Sequence, residues 1–393
     1  MTQSTAAPAL SRLDVHVFRV PLDRPVVTSF GAMRDRPAVF VRLEDADGVF
    51  GWGEVFANWP AAGAEHRARL LVEDMGDLLI GQRFAHRSDL FHQLTDRTRI
   101  RALQCREWGP FDQVIAGLDT AIHDLMARRS GQSLALFLNP DAPPSVPAYA
   151  SGIHIRDAAE VIARCREAGH DAFKIKTGFD LPRDIADTLQ IAASLAPGER
   201  LFADANQGWD ADQAIAYLQG LAECPLGWLE EPIIATAAPE AWEHVRRASA
   251  VPLAGGENIA GLDAFDHAIA AATFGYLQPD LAKWGGITGC EWVARRALAS
   301  GATYCPHFLG GGIGLLASAA VLAAVGGRGL LEVDVNPNPL REGFDLFRPR
   351  QPRNCLHLPQ APGLGITTLP EALHSFQTLH ATLTTSGPRY RSP

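Results

Sequence analysis

Three single carboxylates, Asp204, Glu230 and Glu257, each close a short apolar run, and they recur 26 and then 27 residues apart. The runs are Leu201-Phe202-Ala203-Asp204, Gly227-Trp228-Leu229-Glu230 and Pro252-Leu253-Ala254-Gly255-Gly256-Glu257. A period of that length holds one strand, one helix and two loops, which is the repeating unit of a (β/α) barrel. Acids at the C-terminal ends of neighbouring parallel strands converge at the barrel mouth. Three hard oxygen donors meeting there suit Mg²⁺, which prefers near-octahedral oxygen coordination shared with water or substrate. For any one acid the alternative is a solvated loop residue or a helix N-cap. Three in register weigh against it.

The same rhythm extends over the chain from Val146. Strand candidates are Val146 to Ala150, Ala172 to Lys176, Leu201 to Asp204, Gly227 to Glu230, Pro252 to Glu257, Gly275 to Gln278, Thr303 to Pro306 and Gly329 to Val333. Helical patterns lie between them at Arg156 to Ala168, Ala211 to Leu221, Glu240 to Ala248 and Thr288 to Ser300. Residues 146–339 therefore read as a (β/α)7β TIM-like barrel. Before it, Leu13 to Val20, Ala38 to Leu43 and the element opening at Phe50 read as strands, and Ala61 to Ile80 and Asp112 to Ala127 as helices. Strands followed by helices give an α+β domain over residues 1–140, with the Pro-rich stretch Pro140 to Pro147 as its boundary. The tail, 340–393, has strand-like runs at Cys355 to Leu358 and Gly365 to Thr368 and is expected to return to the N-terminal domain. A length of 393 residues suits such a barrel plus a smaller partner domain.

Composition excludes several classes. No run of about 18 apolar residues occurs, and Met1 to Leu10 lacks a basic and then hydrophobic leader, so a membrane span and a secretory signal are not expected and the default location is cytoplasmic. The six cysteines are scattered without a CxxC pair, which disfavours a disulfide framework or a zinc site. With 35 basic and 44 acidic residues the net charge is −9, which does not attract nucleic acid or anionic membrane.

Other residues carry chemistry on the same scaffold. In Phe173-Lys174-Ile175-Lys176 the two lysines stand at i and i+2, on one face of a strand. Either they face solvent, or they face the barrel interior, where two adjacent ammonium groups depress each other's pKa and make one a base near neutral pH. Tyr304-Cys305-Pro306-His307 ends the seventh strand, and Asp280 at the end of the sixth could fix the ring tautomer of His307. Phe308 to Gly314 is glycine-rich but matches no phosphate loop, and reads as a close-packed turn into a helix. Glu332 ends the eighth strand, as a structural acid or a donor to an intermediate.

Taken in order, Lys174-Ile175-Lys176, Asp204-Ala205-Asn206, Glu230-Glu231-Pro232, Gly256-Glu257-Asn258, Gln278-Pro279-Asp280 with Gly285-Gly286, Pro306-His307 and Leu331-Glu332 resemble the mandelate racemase subgroup of the enolase superfamily. Gly51-Trp52-Gly53-Glu54 and Gly117-Leu118-Asp119-Thr120-Ala121 look like its capping domain. Sites of that superfamily use a Lys or His base with Mg²⁺ stabilising an ene-diolate. The resemblance implies Asp204, Glu230 and Glu257 as Mg²⁺ ligands, Lys176 as base with Lys174 tuning it, and His307 with Asp280 on the opposite face. It also implies Glu332 at the substrate carboxylate, Asn206 and Ser151 as substrate contacts, and a homo-oligomer, dimer or octamer. The muconate-lactonising subgroup carries lysine where this chain has Asp280, and Lys283 three residues on is expected to be structural or to support the residues that meet the substrate. That departure argues against lactonisation, o-succinylbenzoate synthesis and dipeptide epimerisation.

Removing a proton from the carbon beside a carboxylate places two negative charges on one small group, which calls for a divalent cation and donors at those oxygens. Protonation of a β-hydroxyl by His307 then gives dehydration of a sugar acid or related hydroxy acid, the favoured outcome. Reprotonation of the carbon gives a racemase or epimerase. A barrel that binds a carboxylate without turnover is the remaining class, against which stands the full set of charged residues. Substrate choice is expected to lie with cap loops at Pro25 to Met33 and Ala57 to Ala62, with Thr28 to Gly31 as a lid.

Overall fold

The computed structural model describes residues 8–28, 31–346 and 354–391. The first part is an antiparallel meander, β1 (Leu10–Thr28), β2 (Gly31–Asp45) and β3 (Phe50–Val55), backed by helices α1 (Gly63–Arg69), α2 (Asp89–Cys105), α3 (Trp108–Arg129) and α4 (Leu134–Leu138). Period-two alternation sends Leu13, Val15, Val17, Val39 and Val41 onto α3, where Val114, Leu118, Ala121 and Leu125 meet them. Phe18, Phe40 and Trp52 pack with Phe308 and Ile313 of the other domain. The sheet is therefore covered on both faces.

Gly51 and Gly53 explain how closely α3 lies on β3. A Cβ on Gly51 would stand 2.1 Å from the Ala121 carbonyl oxygen, and one on Gly53 2.0 Å from that of Gly117. The expected helix over 61–80 is broken instead into α1, a π-helical turn at Leu70–Asp74 and a 3₁₀ turn at Gly76–Leu78. Helix α2 is mostly polar and escapes an apolar-periodicity reading; it buries Leu90, Phe91, Leu94 and Ala102.

The second part alternates strand and helix without interruption: β4 (Ser145–His154), α5 (Ala158–Glu167), β5 (Ala172–Lys176), α6 (Leu181–Ala193), β6 (Arg200–Asp204), α7 (Ala211–Gly220), β7 (Leu226–Glu230), α8 (Pro239–Ala248), β8 (Leu253–Gly255), α9 (Leu262–Ala270), β9 (Tyr276–Leu277), α10 (Gly286–Ala299), β10 (Thr303–Tyr304), α11 (Gly312–Val325) and β11 (Leu331–Asp334). The strands are parallel in the order β10-β9-β8-β7-β6-β5-β4-β11, so the eighth returns to the first. At the seam between β10 and β11 the Leu330 N–H donates to Cys305 Sγ at 3.3 Å. Eight strands and seven helices among the described residues make the (β/α)7β barrel. Strands five to seven are shorter than their apolar runs; Gly256, at φ 135°, ends β8 early.

Inside the barrel, Tyr149, Ala172, Phe202, Trp228 and Ala254 form an apolar floor, with Phe202 and Trp228 stacked at 3.6 Å between centroids. The next inward positions along the same strands are Lys174, Asp204 and Glu230. Alternation alone therefore lifts charge onto the layer above an aromatic plug.

The tail divides. Cys355–His357 (β12) pairs antiparallel with β4 of the barrel rather than with the N-terminal domain, and Gly365 to Thr368 is irregular. Gln377–Thr384 (β13) joins the cap sheet against β1, and Gly387–Arg391 (β14) forms its edge. No helix of the described residues is long and apolar enough to cross a membrane.

Cap and barrel are fastened by two buried acids. Asp119 of α3 accepts the Thr288 N–H at 2.9 Å and its hydroxyl at 2.7 Å, and a Cβ on Gly286 would collide with it. Glu54 of β3 accepts the N–H groups of Gly311 and Gly314 at 2.5 and 2.8 Å, fixing the turn that follows His307. Burial pushes the Glu54 carboxyl up to about 7 from 4.5, against the pull of those two donors. A carboxyl whose pKa rises on folding lowers stability as pH climbs from its unfolded value through its folded one. Unfolding of wild type and Glu54→Gln by urea across that range should show the variant gaining relative stability, by on the order of 2–3 kcal/mol between about pH 4.5 and 8. Parallel pH profiles would contradict this assignment.

Candidate active site

Register places the charged residues side by side: Lys176 opposite Asp204, Asp204 opposite Glu230, and Glu230 opposite Ala254 on β8, with Glu257 three residues further. Asp204 is fully buried and Glu230 is 1% exposed, and neither they nor Glu257 cap the helices that follow. The reading as solvated strand-end acids is thereby overturned for Asp204 and Glu230.

Each acid has a cationic partner. Asp204 Oδ2 accepts Lys176 Nζ at 2.5 Å and has Lys174 Nζ at 3.6 Å. Glu230 accepts Lys174 Nζ at 2.6 Å, Gln278 Nε2 at 2.7 Å and Trp228 Nε1 at 3.2 Å. Glu257 accepts Lys283 Nζ at 2.8 Å, and His307 Nε2 stands 3.0 Å away. Glu332 holds Lys174 Nζ at 2.8 Å and accepts the Ser151 hydroxyl at 2.5 Å. His307 Nδ1 meets Asp280 Oδ2 at 2.7 Å, and Asp280 Oδ1 is anchored by the N–H of Ala282 at 2.8 Å.

The lysines face the barrel interior, but the expected depression of Lys176 by Lys174 is outweighed. Burial acts most strongly on Lys176 and pulls it down, yet Asp204 and the other carboxylates outweigh both burial and Lys174, and the net direction is up. Lys174 is raised well above 10.5 by Glu230 and Glu332, again against burial. Burial raises Glu230, to about 8, with the Asp204 charge adding to it. Glu332 is disfavoured by burial but lowered overall by Lys174 and His307, so here it accepts hydrogen bonds rather than donating them.

Among the described residues no three His, Cys, Asp or Glu side chains are gathered closely enough to grip an ion. Lysines engage the acids instead. In kind, the donor set still fits a hard divalent cation: three carboxylates from successive strands, all oxygen, in a site already arranged around positive charge.

A cavity of about 710 Å³ opens above this layer. The barrel contributes Lys176, Asn206, Glu257, Lys283, His307 and Glu332; the cap contributes Pro25, Val26, Met33, Phe56, Asn58 and Trp59. The expected cap loop at 25–33 is the end of a hairpin, with Val26 opposite Met33, and two residues of the expected lid, Ser29 and Phe30, lie outside the described residues. Asn206 borders the cavity and donates its N–H to Asp204 Oδ1 at 2.8 Å. Ser151 borders it too, bonded to Glu332.

Lys283, expected to be structural or to support the residues at the substrate, does support one of them: it holds Glu257. Sequence reasoning missed two participants. Gln278 holds Glu230, and Asn258 accepts Lys283 Nζ at 3.0 Å and donates to both oxygens of Glu231. Gln278 was visible beside Asp280, but only the sheet shows that a side chain from β9's end reaches an acid on β7.

Comparison with known proteins agrees with this architecture. Residues 12–138 match the mandelate racemase/muconate lactonizing enzyme N-terminal domain, and residues 157–372 the enolase C-terminal domain-like family. The chain is 28% identical, over 94% of its length and 98% of the relative's, to a D-galactarolactone cycloisomerase of Agrobacterium fabrum. A crystal structure of a mandelate racemase/muconate lactonizing enzyme from Bordetella bronchiseptica is similar at 45% identity and a TM-score of 0.87, covering 94% of this chain and 99% of that one. An L-talarate dehydratase from Polaromonas, complexed with Mg and L-glucarate, is similar at 25% identity and a TM-score of 0.81, covering 96% of this chain and 99% of that one. The curated relatives are named cycloisomerases, dehydratases and racemases, so an enzyme of the lyase or isomerase kind is supported across them. The chain belongs to the mandelate racemase/muconate lactonizing enzyme family of the enolase superfamily.

Proposed function

We propose that this protein removes the proton α to a carboxylate of a sugar acid and eliminates an oxygen leaving group from the β-carbon, giving a 2-keto acid by loss of water. The observation that carries the reading is topological. Lys176 on β5 and His307 after β10 border one cavity, with the strands of Asp204, Glu230 and Glu257 between theirs. A carbon held above those acids has a base on one side and an acid on the other.

Asp204, Glu230 and Glu257 would hold Mg²⁺, which would supply positive charge at the substrate carboxylate as the second negative charge develops. Lys176 takes the α-proton as the neutral amine; Asp204 is the main charge that holds it protonated, so loss of that contact to the cation would free the base. Asp280 holds Nδ1 of His307, which leaves Nε2, 3.0 Å from Glu257 at the cavity lining, to deliver a proton to the leaving oxygen once a substrate takes that contact. Lys174, without a place on the cavity lining, positions Glu230 and Glu332. Asn206 and Ser151 steady Asp204 and Glu332 beside the substrate. Pro25, Val26, Met33 and Trp59 of the cap exclude water from the intermediate.

A second reading is favoured by the full-length likeness to the D-galactarolactone cycloisomerase. The same elimination applied to a lactone or anhydro ring breaks a C–O bond within the molecule and opens the ring without loss of water. Mass spectrometry of the product separates the two: dehydration removes one water, ring opening leaves the mass unchanged.

Screening acid sugars with Mg²⁺ in D₂O should reveal deuterium at the α-carbon of recovered substrate and at the neighbouring carbon of the 2-keto acid. Lys176→Ala should abolish that exchange, by at least about a hundredfold. His307→Asn should abolish net elimination while sparing exchange from the lysine face. Retention of turnover in both variants, or after exhaustive chelation, would contradict the mechanism. Lys174→Met leaves buried carboxylates uncompensated and should cost about 3–5 kcal/mol in urea unfolding; near wild-type stability would show that Lys174 is dispensable to the network.

A further inference from the structure

The cavity holds a second polar cluster that this chemistry does not use. Asp334 lies two residues beyond Glu332 on β11, roughly 7 Å further along the strand. It is 4% exposed, and its Oδ2 accepts Nη2 of Arg36 at 2.8 Å. Arg36 comes from β2 of the cap, so the pair spans the junction between the domains. Asp334 is held from the other side as well, since Oδ1 accepts Asn336 Nδ2 at 2.8 Å and Arg341 Nη1 stands 3.6 Å from Oδ2. Both Arg36 and Asp334 border the cavity that contains Lys176 and His307.

Arg36 is 3% exposed, yet its Nε–H finds no acceptor among the described residues. A guanidinium donor buried in that way is costly unless a ligand or water completes it. Its Nη2 is already committed to Asp334, which fixes the plane of the fork and neutralises the charge. The Nε–H is then a directed donor still unpaired among the described residues, on a guanidinium whose charge Asp334 already balances.

We infer that Arg36 is a specificity-determining residue that donates its Nε–H to an oxygen at the far end of the substrate, and that Asp334 is the residue that positions it. The matching substrate is a polyhydroxylated monocarboxylic acid long enough to place a hydroxyl several carbons from the carboxylate. The inference rests on the proposed elimination only in taking the carboxylate end to lie at Lys176. A short acid reaches the charged layer alone; a long one reaches Arg36 too.

Calorimetric titration with Mg²⁺ present, in a Lys176→Ala background so that no turnover occurs, tests this with a panel of six-carbon aldonates and with glycerate as the short probe. The tightest aldonate should bind about tenfold or more tightly than glycerate, and Arg36→Lys, which keeps the charge opposite Asp334, should remove about tenfold from the aldonate while leaving glycerate within about twofold. Should Arg36→Lys fail to fold, Arg36→Met combined with Asp334→Asn removes both charges together and should give the same loss. Equal weakening of both probes, unchanged aldonate affinity, or a parent that binds aldonates no better than glycerate overturns the inference. Absence of Mg²⁺-dependent α-exchange in the wild type with an intact Arg36-dependent length preference would sink the elimination reading and leave this one standing.

Discussion

Everything at the mouth of this barrel follows from burying several carboxylates above an aromatic floor. Asp204, Glu230 and Glu332 are almost wholly enclosed, and carboxylates in such surroundings either protonate or find cations. The chain supplies Lys174 at its centre, bonded to Glu230 and Glu332 and near Asp204, with Lys176 and Lys283 completing the acids on either side. Such a network is poor material for stability, since well-packed apolar residues would serve a core as well. It makes sense as a preorganised site, in which fixed charges face a reacting group with little rearrangement.

The same constraint accounts for the cap. Charges at a barrel mouth open to bulk water would be screened and their pairings weakened. Glu54 and Asp119 bind cap to barrel through buried hydrogen bonds, one of them to the turn directly after His307. The hairpin of β1 and β2 brings Val26 and Met33 over the cavity, and Arg36 carries that contact down to Asp334. Domain docking and the shape of the site are therefore one problem with one set of residues.

Much of this was legible in the chain because it is local. A strand that carries lysines at i and i+2 shows by alternation that they share a face, though not whether that face is the inner one, and the ordered motifs from Lys174 to Glu332 resemble one family. What stayed hidden depends on distance in sequence. Lys283 to Glu257, Gln278 to Glu230 and Arg36 to Asp334 join residues on, or just beyond, different strands, the last nearly 300 positions apart. The direction of the lysine shifts was misread for the same reason, because spacing shows two ammonium groups but not the acids around them. Helix α2 escaped because its buried stripe is narrow, and Cys355–His357 went to β4 because a short apolar run does not say which edge it will pair with.

The central claim is that Asp204, Glu230 and Glu257 together form a divalent-cation site in which metal displaces some of the lysine contacts. A crystal structure grown with Mn²⁺, used as an anomalous scatterer in the place of Mg²⁺, tests it most directly. The account predicts one strong peak within coordination distance of all three carboxylates, lost in Glu230→Gln. A saturated crystal with no peak there, or with metal only at surface acids, would contradict it.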